Sequence, residues 1–296
     1  MTPSRRAFLI AGGGVLGAAA LAAAAGEAVD LGILPGRSTM YRTLGLNGPA
    51  GVIPDAAAGA AVSGTFSSAA RGRDVGWTVA YPPGAEPGAD LPVAIWLHGL
   101  DGTHETAFRL LGLDRFLAAA VADGTPPFAI ATVDGGNGYW HARVSGDDAG
   151  RMVVDEFLPL LADRGLRTER AAFGGWSMGG YGALLLAGRL GAAAVTAVAA
   201  ASPAMWNGWA SAPRTAFDGH ADYDAHRVQG HQDELDGIAV RIDCGRGDGF
   251  SPVISSYVDG FDREIPGDRD AGGHDAGFWR RVAADDIRFI GAALNA

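Results

Sequence analysis

The sequence predicts one α/β domain in which helices flank a mostly parallel central sheet. Three observations support this fold class. Strand-like apolar runs alternate with amphipathic helical patterns from residue 61 onward. A serine between glycines stands where one of these runs passes into a helical pattern. No break in composition divides residues 61–296, and a chain of 296 residues is long enough to bury a large core.

The elements are predicted in the following order. The first two strand-like runs, AVSGTF and GWTVAY, are close together and predict an antiparallel start to the sheet. Later strand-like runs alternate with helical patterns and predict parallel strands: PVAIWLHG, FAIATVD, AAFGGW, VTAVAAAS and IAVRIDCG. The helical patterns are LDRFLAAAVADG, AGRMVVDEFLPLLADRG, MGGYGALLLAGRLG and, near the end, DAGFWRRVAADDIRFIGAALN.

Two further segments precede the domain. Residues 1–28 join a twin arginine, Arg5-Arg6, to a weakly apolar, alanine-rich stretch, which resembles the twin-arginine export signal. We therefore expect an exported protein, extracellular or associated with the cell envelope. The alternative is an uncleaved anchor, through which alone the protein would contact a membrane. Residues 29–60 are rich in glycine, proline and alanine, and we predict an extended lead-in that wraps on the domain surface.

Composition excludes several kinds of partner. The net charge is −10, and because no basic run is present we expect no nucleic acid to bind. Cys244 is the single cysteine, so neither an intrachain disulfide nor a cysteine metal cluster can form. His220, His226 and His231 lack a compact ligand motif such as H-E-x-x-H, so a solvated connection explains them better than a metal site. We predict neither a metal nor another cofactor.

Ser177 lies in the motif Gly175-Trp176-Ser177-Met178-Gly179, which has the form G-x-S-x-G. Small residues two before and two after the serine allow a strand to turn sharply into a helix. Such a turn holds the serine in a strained backbone conformation with its hydroxyl exposed above the sheet edge. The pattern therefore predicts a nucleophilic serine.

A serine hydroxyl becomes a good nucleophile only when a histidine accepts its proton and an acid orients that histidine. His274 is the candidate base, because it lies in a glycine-flanked loop directly before the last predicted helix. Asp248 is the candidate acid, because it follows the last strand by a few residues. Asp243, near the end of the same strand, is the alternative.

Two backbone amides are predicted to bind the developing oxyanion. One is the N–H of Met178, directly after the nucleophile. The other is the N–H of Leu100, in the glycine-containing loop HGLDG that follows the third strand. His98, in the same loop, is predicted to be a structural residue.

Aromatic residues follow two further strands at the same sheet edge. Tyr139 and Trp140 follow the fourth strand, and Trp206 follows the sixth. We predict that these side chains contact the substrate, although simple packing would also account for them. Asp147 and Asp148, near Tyr139, are expected either to contact substrate or to cap the next helix.

The segments LHGLDG, GGWSMGGYGA, CGRGDGF and GGHDAGFW resemble the α/β-hydrolase esterases of the esterase D type. This group includes S-formylglutathione hydrolases, feruloyl-esterase-like enzymes and secreted mycolyltransferases, and the resemblance covers residues 61–296. It implies an α/β-hydrolase fold and a serine esterase without a cofactor, with Ser177, Asp248 and His274 as its triad. An aspartate as triad acid follows the S-formylglutathione hydrolase form, whereas mycolyltransferases use glutamate. An export signal does not suit a cytosolic glutathione thioester hydrolase.

These observations predict an exported serine esterase that hydrolyses small-molecule or lipid esters with short to medium acyl chains. Short chains are expected because the sequence contains no long insertion resembling a lipase lid. One alternative is an acyltransferase of the mycolyltransferase type that acts on envelope sugars or lipids. A second alternative is a non-catalytic homologue that binds the cell envelope.

Overall fold

The computed structural model describes residues 26–29 and 36–296. Most of the predicted export segment, residues 1–28, therefore lies outside the described residues. Within the described ranges, no helix has both the length and the hydropathy that crossing a membrane requires.

Seven strands form one sheet in the described part of the chain, in the order β1-β2-β4-β3-β5-β6-β7. Their bounds are β1 (Ala61–Ser68), β2 (Arg73–Ala80), β3 (Pro92–Leu97), β4 (Ala129–Val133), β5 (Arg167–Trp176), β6 (Val195–Ala201) and β7 (Ala239–Asp243). β2 pairs antiparallel with both β1 and β4, and the remaining neighbours pair in parallel. The predicted mostly parallel sheet with an antiparallel start is confirmed.

Helices cover both faces of the sheet, as the continuous apolar sequences of β3 and β4 require. Their bounds are α1 (Arg37–Thr43), α2 (Thr106–Arg109), α3 (Leu113–Ala122), α4 (Ala149–Arg151), α5 (Leu158–Asp163), α6 (Met178–Leu190), α7 (His220–His226), α8 (Ser251–Val258) and α9 (Ala276–Leu294). A π-helical segment, Met152–Phe157, joins α4 to α5.

Each face of the sheet has its own hydrophobic core. On one face, residues 149–163 and α6 form a helical layer whose buried side chains include Phe157 and Leu184. On the other face, Phe116 of α3 and Ile287 of α9 pack against the sheet. Burying side chains of this size supplies the main favourable free energy of folding. No large lid covers the sheet edge in the part of the chain that the structure describes, as predicted.

The lead-in, residues 29–60, differs from the extended chain that its composition predicts. It contains α1, a helix of 7 residues, before it continues as irregular chain. Tyr41 anchors this helix, because its side chain is only 8% exposed. A single buried residue leaves too little periodicity for a sequence pattern to reveal, so contacts with the domain decide the conformation here.

Backbone strain is concentrated at one edge of the sheet. Among the described residues, the non-glycine residues with positive φ are Asp101, Tyr139, Trp140, Ser177 and Ser202. They follow the carboxyl ends of β3, β4, β5 and β6. Strained backbone of this kind persists where surrounding structure holds it, and it often accompanies function. This edge is also the place where ligands bind in open α/β sheets.

Candidate active site

The turn from β5 into α6 places Ser177 at the carboxyl edge of the sheet, with φ 54° and ψ −120°. The flanking glycines are required because a side chain at either position would collide with the backbone. A Cβ on Gly175 would lie 2.4 Å from the carbonyl oxygen of Gly179, and one on Gly179 would lie 1.9 Å from that of Leu97. Any larger residue would therefore clash with backbone, which explains the G-x-S-x-G pattern.

A chain of hydrogen bonds joins Ser177, His274 and Asp248. His274 Nε2 lies 2.9 Å from Ser177 Oγ, and His274 Nδ1 lies 2.8 Å from Asp248 Oδ2. An ionised carboxylate only accepts, so Nδ1–H donates to Asp248 and Nε2 is left to accept the serine hydroxyl. The structure thus brings together the three residues that the sequence singles out, with the imidazole between the hydroxyl and the carboxylate.

Aromatic rings hold the imidazole of His274 in place. Phe250 and Trp279 meet it edge-on, with ring centroids 5.3 Å and 5.2 Å away. Asp248 is fully buried, and its second carboxylate oxygen accepts the N–H of Phe250 at 2.9 Å. The carboxylate and both rings leave the imidazole little freedom to rotate. Sequence reasoning did not single out Phe250 or Trp279, although they end the segments CGRGDGF and GGHDAGFW, because nothing in either segment marks an aromatic residue as a contact of the imidazole.

Asp243, the alternative acid, makes different contacts. Its Oδ1 accepts from Arg241 at 2.7 Å and from the N–H of Asp268 at 2.6 Å. Arg241 also donates to Asp286 at 3.0 Å. Burial raises the pKa of both Asp243 and Asp286, which favours a proton shared within this group. The hydrogen bonds of Asp243 therefore stabilise the end of β7, and the carboxylate that contacts His274 is that of Asp248.

The loop after β3 lies against Ser177. A Cβ on Gly99 would come within 3.4 Å of the Ser177 Cβ, so the next amide, Leu100 N–H, is close to the serine. Met178 begins α6, and its N–H therefore has no partner within the helix. Among the described residues, neither amide donates a hydrogen bond. The two predicted oxyanion donors thus adjoin Gly99 and Ser177 in the chain, and their N–H groups have no acceptor in the described part of the protein.

Two side chains fix this loop. Asn137 and Asp101 exchange hydrogen bonds: Asn137 Oδ1 accepts the N–H of Asp101 at 2.8 Å, and Asn137 Nδ2 donates to Asp101 Oδ1 at 2.7 Å. His98 is buried, its Nδ1 donates to Gly99 O at 2.7 Å and its Nε2 accepts the N–H of Gly135 at 2.9 Å. Burial lowers the pKa of His98, which keeps the ring neutral and able to accept. The structural role predicted for His98 agrees with these contacts, whereas Asn137 was missed.

A cavity of about 500 Å³ opens beside His274. Trp206 lines it together with Met205, Phe250 and Val253, so its walls are largely apolar. Volumes of this size accommodate small-molecule ligands. The structure therefore places Trp206, one of the predicted substrate contacts, at the cavity wall.

The other two predicted substrate contacts lie deeper. Tyr139 is only 6% exposed, and its ring packs 5.6 Å from that of Trp206, so it supports the cavity wall from behind. Trp140 is fully buried beneath the site. A Cβ on Gly182 of α6 would enter the Trp140 ring, at 2.5 Å. The interpretation of Trp140 as a substrate contact is therefore corrected: it packs the sheet edge against α6.

The two aspartates in the same loop also have structural contacts. Asp147 forms a two-point ion pair with Arg71, at 2.8 Å and 2.9 Å. Asp148 caps α4 by accepting the N–H of Arg151 at 2.9 Å. Helix capping and packing, instead of substrate contact, account for both residues.

His141, Asp222 and His226 form a second cluster, with potential ligand atoms within 4.8 Å of one another. The two imidazoles stack, with centroids 4.1 Å apart and planes tilted by 23°. Lone pairs lie in the ring planes, so stacked rings cannot both direct a lone pair at one ion. Both nitrogens of His141 also lie 3.0 Å from backbone carbonyl oxygens. We therefore interpret the cluster as a packing contact between the loop after β4 and α7.

This cluster makes stability depend on pH. Burial, followed by the charge of His226, lowers the pKa of His141 from 6.5 to about 4. Between these values the unfolded chain binds a proton that the folded protein does not, so stability falls as pH decreases from 6.5 to 4. We expect a loss of at most about 3 kcal/mol in the free energy of unfolding. In His141→Gln, the free energy of unfolding from urea titrations should depend less on pH between 6.5 and 4. The same slope of this free energy against pH in the variant and the wild type would contradict the assignment of the effect to His141.

Comparison with known proteins adds a family assignment to this geometry. Residues 68–258, more than half of the chain, match the family model named Esterase. No curated protein matches the chain.

Several solved structures are similar to the chain. A ferulic acid esterase has 22% sequence identity and a TM-score of 0.68, covering 79% of this chain and 98% of its own. An S-formylglutathione hydrolase from Agrobacterium tumefaciens has 18% identity and a TM-score of 0.67, covering 81% and 98%. A fluorophosphonate-binding serine hydrolase of Staphylococcus aureus has 16% identity and a TM-score of 0.64, covering 79% and 99%. Similarity at these identities shows a shared α/β-hydrolase fold.

Proposed function

Because the chain belongs to the esterase family, it is an ester hydrolase, and we propose that it cleaves carboxylic esters through a triad of Ser177, His274 and Asp248. One observation carries this proposal: the continuous hydrogen bonds of 2.9 Å and 2.8 Å that join the hydroxyl, the imidazole and the buried carboxylate. The same three groups are the ones expected from a nucleophile, its general base and the residue that orients the base.

The proposed reaction proceeds in two acyl-transfer steps. His274 removes the hydroxyl proton while Ser177 Oγ attacks the ester carbonyl, and Asp248 stabilises the imidazolium that forms. His274 then protonates the leaving alcohol, which leaves an acyl group on Ser177. In the second step His274 takes a proton from water as the water oxygen attacks the acyl carbonyl. The imidazolium then returns this proton to Ser177 Oγ as the bond to the acyl group breaks and the carboxylic acid leaves.

The amides of Leu100 and Met178 are proposed to bind the oxyanion of both tetrahedral intermediates. The position of Met178 at the N-terminus of α6, a helix of 13 residues, supports this role, because the helix dipole favours negative charge there. Loss of one oxyanion donor typically costs about 3 kcal/mol of transition-state stabilisation. The loop that carries Leu100 therefore has to be held accurately.

Asn137 offers a test of that loop. Asn137→Ala removes both hydrogen bonds to Asp101, the residue after Leu100, so we expect kcat to fall about tenfold with little change in KM. Asn295→Ala is the matched control, because Asn295 directly follows α9 and donates to Gly291 O of that helix, away from the carboxyl edge of the sheet. Equal kcat values for the two variants, measured with p-nitrophenyl acetate, would show that Asn137 has no part in placing the donor.

The proposed substrates are small-molecule or lipid esters with short to medium acyl chains. The cavity of about 500 Å³ and its apolar walls support this range. The direct test is hydrolysis of a p-nitrophenyl ester series from acetate to palmitate, with methyl ferulate as an aromatic member. We expect the highest kcat/KM at or below medium chains, and an optimum at palmitate would contradict the proposal.

Water is proposed as the acyl acceptor. An acyltransferase needs a second pocket that positions an acceptor hydroxyl against His274 and excludes water. Two polar residues of the loop after β4 that could bind an acceptor, Asp147 and Asp148, are instead engaged by Arg71 and by the helix cap. Trehalose, glycerol or glucose added at millimolar concentration should therefore leave free acid as the main product. Saturable transfer that exceeds hydrolysis would favour the mycolyltransferase-type alternative instead.

Export by the twin-arginine route is proposed from residues 1–28 alone. Replacing Arg5-Arg6 by a pair of lysines should leave the full-length protein in the cytoplasm, while Arg42→Lys should not alter its location. Cell fractionation separates these outcomes, and export of both variants would exclude this route.

A further inference from the structure

A segment of the lead-in lies against the loops that carry Asp248 and His274, and we call residues 36–53 the strap. It lies outside the part of the chain that matches the family model, residues 68–258. The strap nevertheless contacts the loop of Asp248. Arg37 Nη1 donates to Arg246 O at 2.8 Å. A Cβ on Gly247 would lie 2.7 Å from the Cβ of Tyr41, so the strap rests directly on this loop.

Asn47 occupies the notch between the two loops that carry Asp248 and His274. A Cβ on Gly247 would lie 2.3 Å from Asn47 Oδ1, and one on Gly273 would lie 2.7 Å from Asn47 Nδ2. The two loops are themselves joined there, because Gly247 N–H donates to Gly272 O at 2.7 Å. Oδ1 of Asn47 is buried without a hydrogen-bond partner among the described residues. The side chain therefore contributes its shape, as a wedge against both loops.

The strap is fastened to α9 at a second place. Arg281 Nη1 donates to Asn47 O at 3.2 Å and to Pro49 O at 3.1 Å. Arg281 also donates to Ala271 O, in the loop that precedes His274. Gly51 N–H donates to Gly277 O at 2.8 Å. These bonds hold the wedge at a fixed distance from the helix that follows His274.

The strap also forms part of the cavity wall. Ser38 lines the cavity on the side of Phe250 and Val253. Its Oγ would lie 3.6 Å from a Cβ on Gly249, the residue after Asp248. A larger side chain at position 38 would extend into the space beside His274.

We propose that the strap is part of the active site. In this proposal Asn47 positions the loops of Asp248 and His274, and Ser38 limits the length of the acyl group that the cavity accepts. This inference rests on the proposed triad. Asn47 acts through the two loops and touches no reacting atom, so it is a positioning residue. The strap thus supplies to this chain a site component that the family match does not include.

The first test compares Asn47→Ala with Asn47→Leu. Alanine removes the wedge, whereas leucine keeps its branched shape without the polar amide atoms. We expect kcat to fall about tenfold in Asn47→Ala with KM nearly unchanged, and to stay within about threefold in Asn47→Leu. Leu44→Ala is the matched control, because Leu44 is on the strap but 63% exposed. Thermal unfolding of each variant checks that it is folded.

The outcomes separate this inference from the proposed function. Full kcat in Asn47→Ala, or equal losses in the alanine and leucine variants, would overturn the role of Asn47 while fluorophosphonate still labels the wild-type serine. Absence of labelling in the wild-type protein would instead overturn the triad itself.

The second test uses Ser38→Trp, with Thr39→Trp on the exposed neighbour as control. We expect kcat/KM for p-nitrophenyl octanoate to fall about tenfold relative to acetate in Ser38→Trp only, because the larger ring reduces the space for the acyl chain. An unchanged ratio of the two rates in Ser38→Trp would show that the strap does not limit the acyl group.

Discussion

Replacing Ser177 with alanine is expected to lower kcat for p-nitrophenyl esters by about 10⁴-fold or more. The variant keeps the oxyanion donors and the cavity but lacks the oxygen that forms the acyl-enzyme. Little structural change is expected, since alanine is smaller and the strained turn is held by Gly175 and Gly179. Ser211→Ala is the matched control, because Ser211 lines the same cavity and its hydroxyl bonds to Gly208 O at 2.9 Å.

A fluorophosphonate probe measures the same property without a substrate. Intact-mass analysis should show one covalent label on the wild-type protein and on Ser211→Ala, and none on Ser177→Ala. A folded wild-type protein that takes no label would favour the non-catalytic, envelope-binding alternative. A label that persists in Ser177→Ala would place the nucleophile at another residue.

Asp248→Asn is expected to have the second largest effect, a fall in kcat of about 10⁴-fold. The amide is close to the carboxylate in shape, so the fold should be unaffected. Its NH₂ group, however, favours the wrong tautomer of His274 and cannot stabilise the imidazolium. Asp243→Asn is the matched control at a second buried aspartate, where an amide oxygen still accepts from Arg241 and from the N–H of Asp268. We expect the control to stay within about threefold of the wild-type kcat.

The comparison of these two variants decides which aspartate is the acid. A larger loss in Asp243→Asn than in Asp248→Asn would reverse the assignment. Urea unfolding at pH 7 should accompany the kinetics, because Asp243 belongs to a buried group with Arg241 and Asp286. Loss of activity that tracks loss of stability would point to folding and not to proton transfer.

Features fixed by local rules were predictable from the sequence. The strands and helices follow from apolar periodicity, and the turn at Ser177 follows from glycines that backbone contact requires on both sides. His274 is predicted from its glycine-flanked loop before the last helix, and Asp248 from its position just after the last strand. In each case a short stretch of sequence contains the whole reason for the structure.

Features fixed by distant contacts were not predictable. Trp140 is an aromatic residue at the edge of the sheet where substrates bind, which is typical of a substrate contact. Only its packing against Gly182 of α6 reveals that it is a core residue. Asn137 stabilises the loop of Leu100 from 36 positions away, and no motif marks the pair. The helix α1 depends on Tyr41 meeting a loop more than 200 residues later. Contacts of this kind are set by the tertiary fold, which overrides local preference.

The distance along the chain between the strap and its contacts determines when the active site can form during synthesis. The strap's hydrogen bonds to residues 246 and 281 span 209 and 234 positions of the chain. A ribosome makes each of these strap residues more than 200 positions before its partner, residue 246 or 281, so the strap has no surface on which to dock while the intervening chain is being made. Closing so long a loop is only slightly less favourable than closing a short one, because the entropic penalty grows with the logarithm of length. The site around Ser177 can thus be completed only after residue 281 has been made, and products that terminate between Ser177 and His274 carry the serine without its base.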